Sequence, residues 1–186
     1  MDHPYRYSRW PAFMLAWALL MAACSPQPSL GRGQALQLAR YDDELNNVSV
    51  SIALRRAGDG VVQLAATFTP PPGFHLYSKD LPRLGKGGQG RPTLLELAGE
   101  SKMKATSPLG ESVSAGPADY EPDGPAVYPV GPVTLTLAVE LPAEPGWVDD
   151  QLSLTYMACT ATKCLPPTIG RLVLVRIPGA GSLKDQ

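Results

Sequence analysis

The side chains best equipped for chemistry in this sequence are two cysteines near its C-terminal end, Cys159 and Cys164, separated by Thr160, Ala161, Thr162 and Lys163. A thiolate attacks disulfides, ligates soft metals and, once oxidised, locks a loop, so a closely spaced pair is compatible with all three roles. As a lock it is weak: closing a loop of about six residues removes unfolded-state entropy worth roughly 2 kcal/mol, against more than about 4 kcal/mol for loops near 100 residues. As a metal site it would draw on Met157, two residues before Cys159 and so on the same face of a strand, and on His75, a set that favours Cu(I). As an exchange site it needs one sulfur within reach of an attacking thiolate, which a loop-bearing edge provides. Spacing alone leaves thiol exchange, a structural disulfide and Cu(I) binding open.

The other candidates are imidazole, phenol and carboxylate groups. His75 is one of 2 histidines, the other being His3. It reads as a hydrogen-bonded loop residue, as a group that lowers a neighbouring thiol pKa when protonated, or as a copper ligand. Tyr77 and Tyr156 read as core or rim aromatics, or as parts of a shield over the sulfurs. Tyr120 lies in the Pro- and Gly-rich stretch 117–125, where a core role is hard to build, and this points to a cap. Asp119, Glu121 and Asp123 beside it make either a solvated acidic loop or a local field that disfavours the thiolate until the loop is displaced. No Ser-His-Asp set can be assembled around so few histidines. The glycine-rich run Gly85-Lys86-Gly87-Gly88-Gln89-Gly90 lacks the strand-to-helix context of a phosphate loop. A net charge of -1 without a Lys/Arg cluster among aromatics sets nucleic acid aside. Hydrolases and nucleotide enzymes are set aside too, and no cofactor is implied.

Strands must position these residues. With 20 Pro and 18 Gly against 3 Phe and 3 Trp, the composition favours many turns over long helices. Apolar side chains alternate at Val48, Val50, Ile52 and Leu54, at Val62, Leu64, Ala66 and Phe68, at Val133, Leu135, Leu137, Val139 and Leu141, and at Leu152, Leu154 and Tyr156, the period of half-buried strands. Residues 172–177 are almost continuously apolar and predict a deeply buried strand, and residues 93–97 a shorter one. Turn compositions fall at 70–73, 85–90, 117–125 and 142–146. One domain is expected, an antiparallel β-sandwich of immunoglobulin-like type with a closed barrel as the alternative. Within it the strand that reaches Cys159 turns over four residues, so that Cys164 faces Cys159 across the mouth of a hairpin.

The third cysteine, Cys24, belongs to a different segment. Arg6 and Arg9 precede an apolar run from Ala12 to Ala23, too short to span a bilayer, followed by Cys24. Leu20-Met21-Ala22-Ala23-Cys24 resembles the bacterial lipobox, which implies an acylated Cys24 as the mature N-terminus, and Ser25 after it favours the outer membrane. The expected layout is a signal peptide over 1–23, a tether over 24–41, the domain over 42–178 and a tail over 179–186. Assigning Cys24 to lipid leaves a single pair in an oxidising, periplasm-facing compartment.

Three motifs carry a resemblance that covers roughly residues 42–177. Tyr156-Met157-Ala158-Cys159 through Cys164-Leu165-Pro166-Pro167 resembles the active-site hairpin of the N-terminal periplasmic domain of the thiol:disulfide interchange protein DsbD. Gly73-Phe74-His75-Leu76-Tyr77 looks like the Gly-aromatic-x-Leu-Tyr segment beside that domain's cysteines, and Asp119-Tyr120-Glu121 through Val127-Tyr128 resembles its cap loop. The cysteine interval is one residue shorter here, and His75 stands where an aromatic hydroxyl is found. The resemblance implies a free-standing electron-handling module with Cys164 forming the mixed disulfide and Cys159 resolving it. Its acceptors would be periplasmic thioredoxin-fold proteins and its reductant a membrane electron carrier of the DsbD or CcdA type. A Cu(I)-binding lipoprotein and a non-catalytic interaction lipoprotein with a structural disulfide are the competing expectations.

Overall fold

The computed structural model describes Leu30, residues 34–118 and residues 120–182. The signal peptide, Cys24 and Asp119 lie outside the described residues. The described chain is all-β: β1 (Ala35–Asp42), β2 (Ser49–Arg56), β3 (Val62–Thr69), β4 (His75–Leu76), β5 (Leu94–Leu97), β6 (Lys104–Ala105), β7 (Gly110–Glu111), β8 (Val133–Glu140), β9 (Trp147–Tyr156), β10 (Ala158–Cys159) and β11 (Thr168–Pro178), with a single 3-10 turn at Ala180–Ser182.

Two antiparallel sheets face each other, as expected of an immunoglobulin-like sandwich. One runs β1-β2-β3-β8-β6 with β7 also on β8, the other β11-β9-β5, and a two-stranded pair β10-β4 stands apart. Period-two burial dictates the registers. Val50 opposes Phe68, Ile52 opposes Ala66 and Leu54 opposes Leu64, while Leu64, Ala66 and Phe68 in turn oppose Leu137, Leu135 and Val133. That face is met by Leu95, Leu152, Leu154, Tyr156, Val175 and Ile177 from the second sheet, all buried in one core. Phe68 and Tyr156 meet across it with ring centroids 5.5 Å apart.

Three expectations need correction. The tether does not run to residue 41, because β1 starts at Ala35 and Leu30 is itself part of the core. A bulge between Gln37 and Ala39 breaks the alternation that would have shown this strand, and the Gln37 side-chain amide bridges it by donating to the carbonyls of Ala39 (2.6 Å) and Ile52 (2.8 Å). The segment 172–177 is not deeply buried. It belongs to β11, which among the described strands pairs with β9 alone, so Val175 and Ile177 point inward while Leu172 and Leu174 are exposed. The tail does not begin at 179, since the Gly179 and Ala180 N–H groups donate to Gly146 and Pro142, and Ser182 bonds Gly146.

Candidate functional site

The two cysteines close a hairpin at one end of the sandwich. The Thr160 N–H donates to the Lys163 carbonyl (2.7 Å) and the Leu165 N–H to the Ala158 carbonyl (2.9 Å). These bonds flank the Cys159/Cys164 pair and make it the narrow, non-hydrogen-bonded kind, where opposed Cα atoms come to about 4.5 Å and side chains are closest. Here the Cα separation is 4.1 Å, and the sulfurs are bonded as a disulfide. Thr160 Oγ1 accepts from the N–H groups of Thr162 (3.3 Å) and Lys163 (3.1 Å), which holds the turn independently of the sulfurs.

The two halves of the disulfide differ in access. Cys159 lies in β10, is fully buried, and pairs with His75 of β4, while Cys164 on the return limb is exposed. Cys164 opens onto a cleft of about 340 Å3 whose lining includes Tyr77, Gly90, Tyr120, Met157 and the 160–163 turn. The Tyr77 hydroxyl lies 4.0 Å from Cys164 Sγ. His75, buried beside Cys159, packs edge-on against Tyr77 with centroids 5.6 Å apart. On its other side the Tyr120 hydroxyl lies 3.1 Å from His75 Nε2.

Tyr120 reaches the site on a covering loop. Gly116 and Val127 exchange backbone hydrogen bonds (2.9 and 2.8 Å) at the base of that loop, and its tip turns through Glu121 N–H to Ala118 and Gly124 N–H to Glu121. Its far leg is stitched to the extension of β4 by Ser78 N–H to Ala126 and Tyr128 N–H to Leu76. Burial lowers the His75 pKa below its ordinary value, and its Nε2 shares a hydrogen bond with the Tyr120 hydroxyl. Burial raises the Tyr77 phenol, with Tyr120 and Glu121 adding to the effect. The charged side chains left on the cleft wall, among the described residues, are Glu121 and Lys163.

Behind the hairpin lies a polar network that the sequence reading missed. Asp43, in the β1–β2 turn, is almost fully buried and accepts hydrogen bonds from Tyr156 Oη (2.6 Å), Thr168 Oγ1 (2.7 Å) and the Leu45 N–H (3.1 Å), with Arg171 at 3.3 Å. Asn46, fully buried, donates to Thr168 Oγ1 (2.9 Å) and to the Pro166 carbonyl (3.3 Å), while its own Oδ1 receives the Val48 N–H. Burial works against ionisation of Asp43, but the Tyr156 and Thr168 hydroxyls, the Leu45 amide and the Arg171 charge outweigh it and hold the carboxyl below its ordinary pKa. The return limb just beyond Cys164 is thereby fastened to the opposite sheet. The only advance sign of this was the Asp43-x-x-Asn46 spacing ahead of a strand.

The sequence-selected residues therefore separate. Cys159, Cys164, His75, Tyr77 and Tyr120 come together, and Met157 and Glu121 line the same cleft. Tyr156 does not join a shield over the sulfurs: it is a core residue, fully buried, with its hydroxyl spent on Asp43. Asp123 contributes a backbone carbonyl rather than its carboxylate, receiving Lys86 Nζ at 2.6 Å. Among the described residues no three His, Cys, Asp or Glu side chains cluster as a metal site.

No family model matches this sequence, and no curated protein matches it. Among solved structures the chain is similar to the DsbD N-terminal domain of Neisseria meningitidis in its reduced form. The identity is 15% and the TM-score 0.39, with 79% of this chain and 86% of that one covered. A likeness at that level carries no argument about chemistry, which rests on this chain's own residues.

Proposed function

We propose that this domain exchanges electrons with other proteins through the Cys159/Cys164 pair. The observation that carries the reading is the asymmetry of the disulfide, one sulfur buried against β4 and the other opening into a cleft under a loop. Exchange needs an attackable sulfur and a leaving or resolving partner held in place. In the donating direction the Cys164 thiolate attacks a partner's disulfide, forming a mixed disulfide and releasing one partner thiolate. The Cys159 thiolate then attacks Cys164 Sγ, which re-forms the internal disulfide and releases the second partner thiolate, so two electrons leave the pair. The turn and the Asp43 network support both steps by holding the hairpin limbs in register without help from the S–S bond.

A structural staple is a poorer account of the same geometry. The loop closed by the bond is short, and its return limb is already tied down through Pro166 and Thr168. The partners proposed are thioredoxin-fold proteins as acceptors and a membrane electron carrier of the DsbD or CcdA type as reductant. The proposed location is the periplasmic face of the cell envelope, through an acylated Cys24 and with the outer membrane preferred. Equilibrating the full-length chain in glutathione buffers tests the exchange reading: a potential near about -200 mV supports it, and one below about -300 mV supports a staple.

A further inference from the structure

The sandwich has two ends, and the cysteines occupy one of them. β1 finishes at Asp42 and β9 at Tyr156, and the two finish together, since the Tyr156 hydroxyl bonds Asp43 and Arg171 stacks on Tyr41. Both strands therefore begin at the other end. There Ala35 pairs with Arg55, just before the 57–61 turn, and Trp147 pairs with Pro178. The connection from β5 to β6 ties the two sheets together at this end, because Asp150 of β9 accepts from the Lys102 and Met103 N–H groups while Lys104 pairs with Glu140 of β8. At about 3.3 Å of rise per residue, the 10 residues of β9 place Trp147 about 30 Å from the cysteine end.

β1 starts at this far end, and the chain ahead of it is short. Leu30 belongs to the core and stands six positions after Cys24. An extended chain covers at most about 3.5 Å per residue, so an acylated Cys24 lies within about 21 Å of Leu30. A core residue that close to lipid leaves the domain no room to stand off from the bilayer. The end where β1 starts also carries two exposed large apolar side chains, Val61 on the 57–61 turn and Trp147 at the start of β9. Indole is a ring that settles at the boundary between lipid and water. The charges there are mixed, Arg55 and Lys104 standing exposed alongside Asp59 and Glu144, so anionic lipid is not required.

We infer that the end of the sandwich bearing Trp147 and Val61 rests on the phospholipid surface that holds the acylated Cys24, and that the cysteine hairpin is presented on the opposite side, about 30 Å out in the water. This orientation rests on the acylation of Cys24 and is independent of the exchange chemistry. It selects partners by direction of approach. A carrier embedded in the same bilayer reaches the disulfide only with a reactive group standing that far above the lipid, whereas a soluble protein meets it directly.

Trp147 supplies its own probe. Of the 3 Trp, Trp10 and Trp17 precede Cys24, so the chain processed at Cys24 carries Trp147 alone. The acylated protein, purified from bacterial membranes, would be reconstituted in phosphatidylcholine vesicles with and without acyl chains brominated near the headgroup, which quench indole on contact. Trp147 emission is expected to fall by about half in the brominated vesicles, while a fluorophore on Cys164 of the Cys159→Ala variant loses none. Unquenched Trp147 in a protein that stays on the vesicles, or quenching at Cys164 as strong as at Trp147, overturns the orientation and leaves the anchor standing. Release of the protein from the vesicles on washing removes the anchor, and the orientation with it.

Discussion

The hairpin bearing Cys159 and Cys164 is gripped on one side and covered on the other, and the two sides are built differently. Behind it, Asp43 and Asn46 are buried and bonded to Tyr156, Thr168, Pro166 and Arg171, so that no partner can leave without stranding a buried polar group. In front of it, the tip of the loop touches the body through Tyr120, half exposed, and through Lys86. Breaking a buried charged network costs about 3–5 kcal/mol, whereas one exposed hydrogen bond is worth about 1 kcal/mol. Motion at this end of the molecule is therefore assigned to the loop, and the limbs carrying the sulfurs stay fixed.

The largest expected effect comes from attacking the fixed side. Asp43→Ala should destabilise the domain by about 3 kcal/mol or more, read as a drop in the urea midpoint, because Arg171 and the Tyr156 hydroxyl lose their acceptor. A loss under about 1 kcal/mol would show that the network is incidental. The folded-state pKa of Asp43 is depressed, so its contribution is present above the unfolded carboxylate value near 3.9 and is lost as pH falls through the lower folded value. Asp43→Asn should remove that part of the acid transition.

Removing the bond itself should matter less. Cys159→Ala combined with Cys164→Ala is expected to cost about 2 kcal/mol and to leave a folded sandwich by circular dichroism. If the double variant fails to fold, the disulfide and not the Asp43 network is what fastens the hairpin.

On the other side, Tyr120→Ala should cost little stability, about 1 kcal/mol, because the side chain that bonds His75 is half exposed. A drop in the urea midpoint as large as that of Asp43→Ala would contradict the contrast between the two sides. Smallest of all is a pH effect from His75, whose folded pKa is lowered by burial. The unfolded state then binds a proton near pH 6.5 that the folded state refuses until lower pH, so stability should fall on acidification from about 6.5. His75→Phe should flatten that slope in urea titrations across pH 7 to 5.

What the sequence disclosed and what it hid follow the same division. β2, β3 and β8 were legible because each buries alternate residues on one face, and the disulfide hairpin was legible because its spacing fits opposed strands. β1 was hidden by its bulge. The first half of β9 was hidden by Asp149 and Asp150, although Asp150 points inward and is satisfied by Ser101 Oγ and the N–H groups of Lys102, Met103 and Gln151. The run at 172–177 looked buried because period cannot be read in a continuously apolar stretch, yet only alternate members face the core. Within the site, His75 and Tyr120 were found from local motifs. Lys86, the Asp43 network and the core placement of Tyr156 depend on contacts between segments 37 to 125 positions apart, for which a single sequence has no local signal.

The exchange reading is tested most directly by trapping. Each single cysteine variant of the full-length chain would be incubated with an oxidised thioredoxin-fold protein, and mixed disulfides read on non-reducing gels. With the exposed Cys164 as attacking sulfur and the buried Cys159 as resolving sulfur, Cys159→Ala should accumulate a mixed disulfide through Cys164, and Cys164→Ala should accumulate far less. Equal trapping by both would contradict the division of roles between the sulfurs, and trapping by neither would contradict exchange.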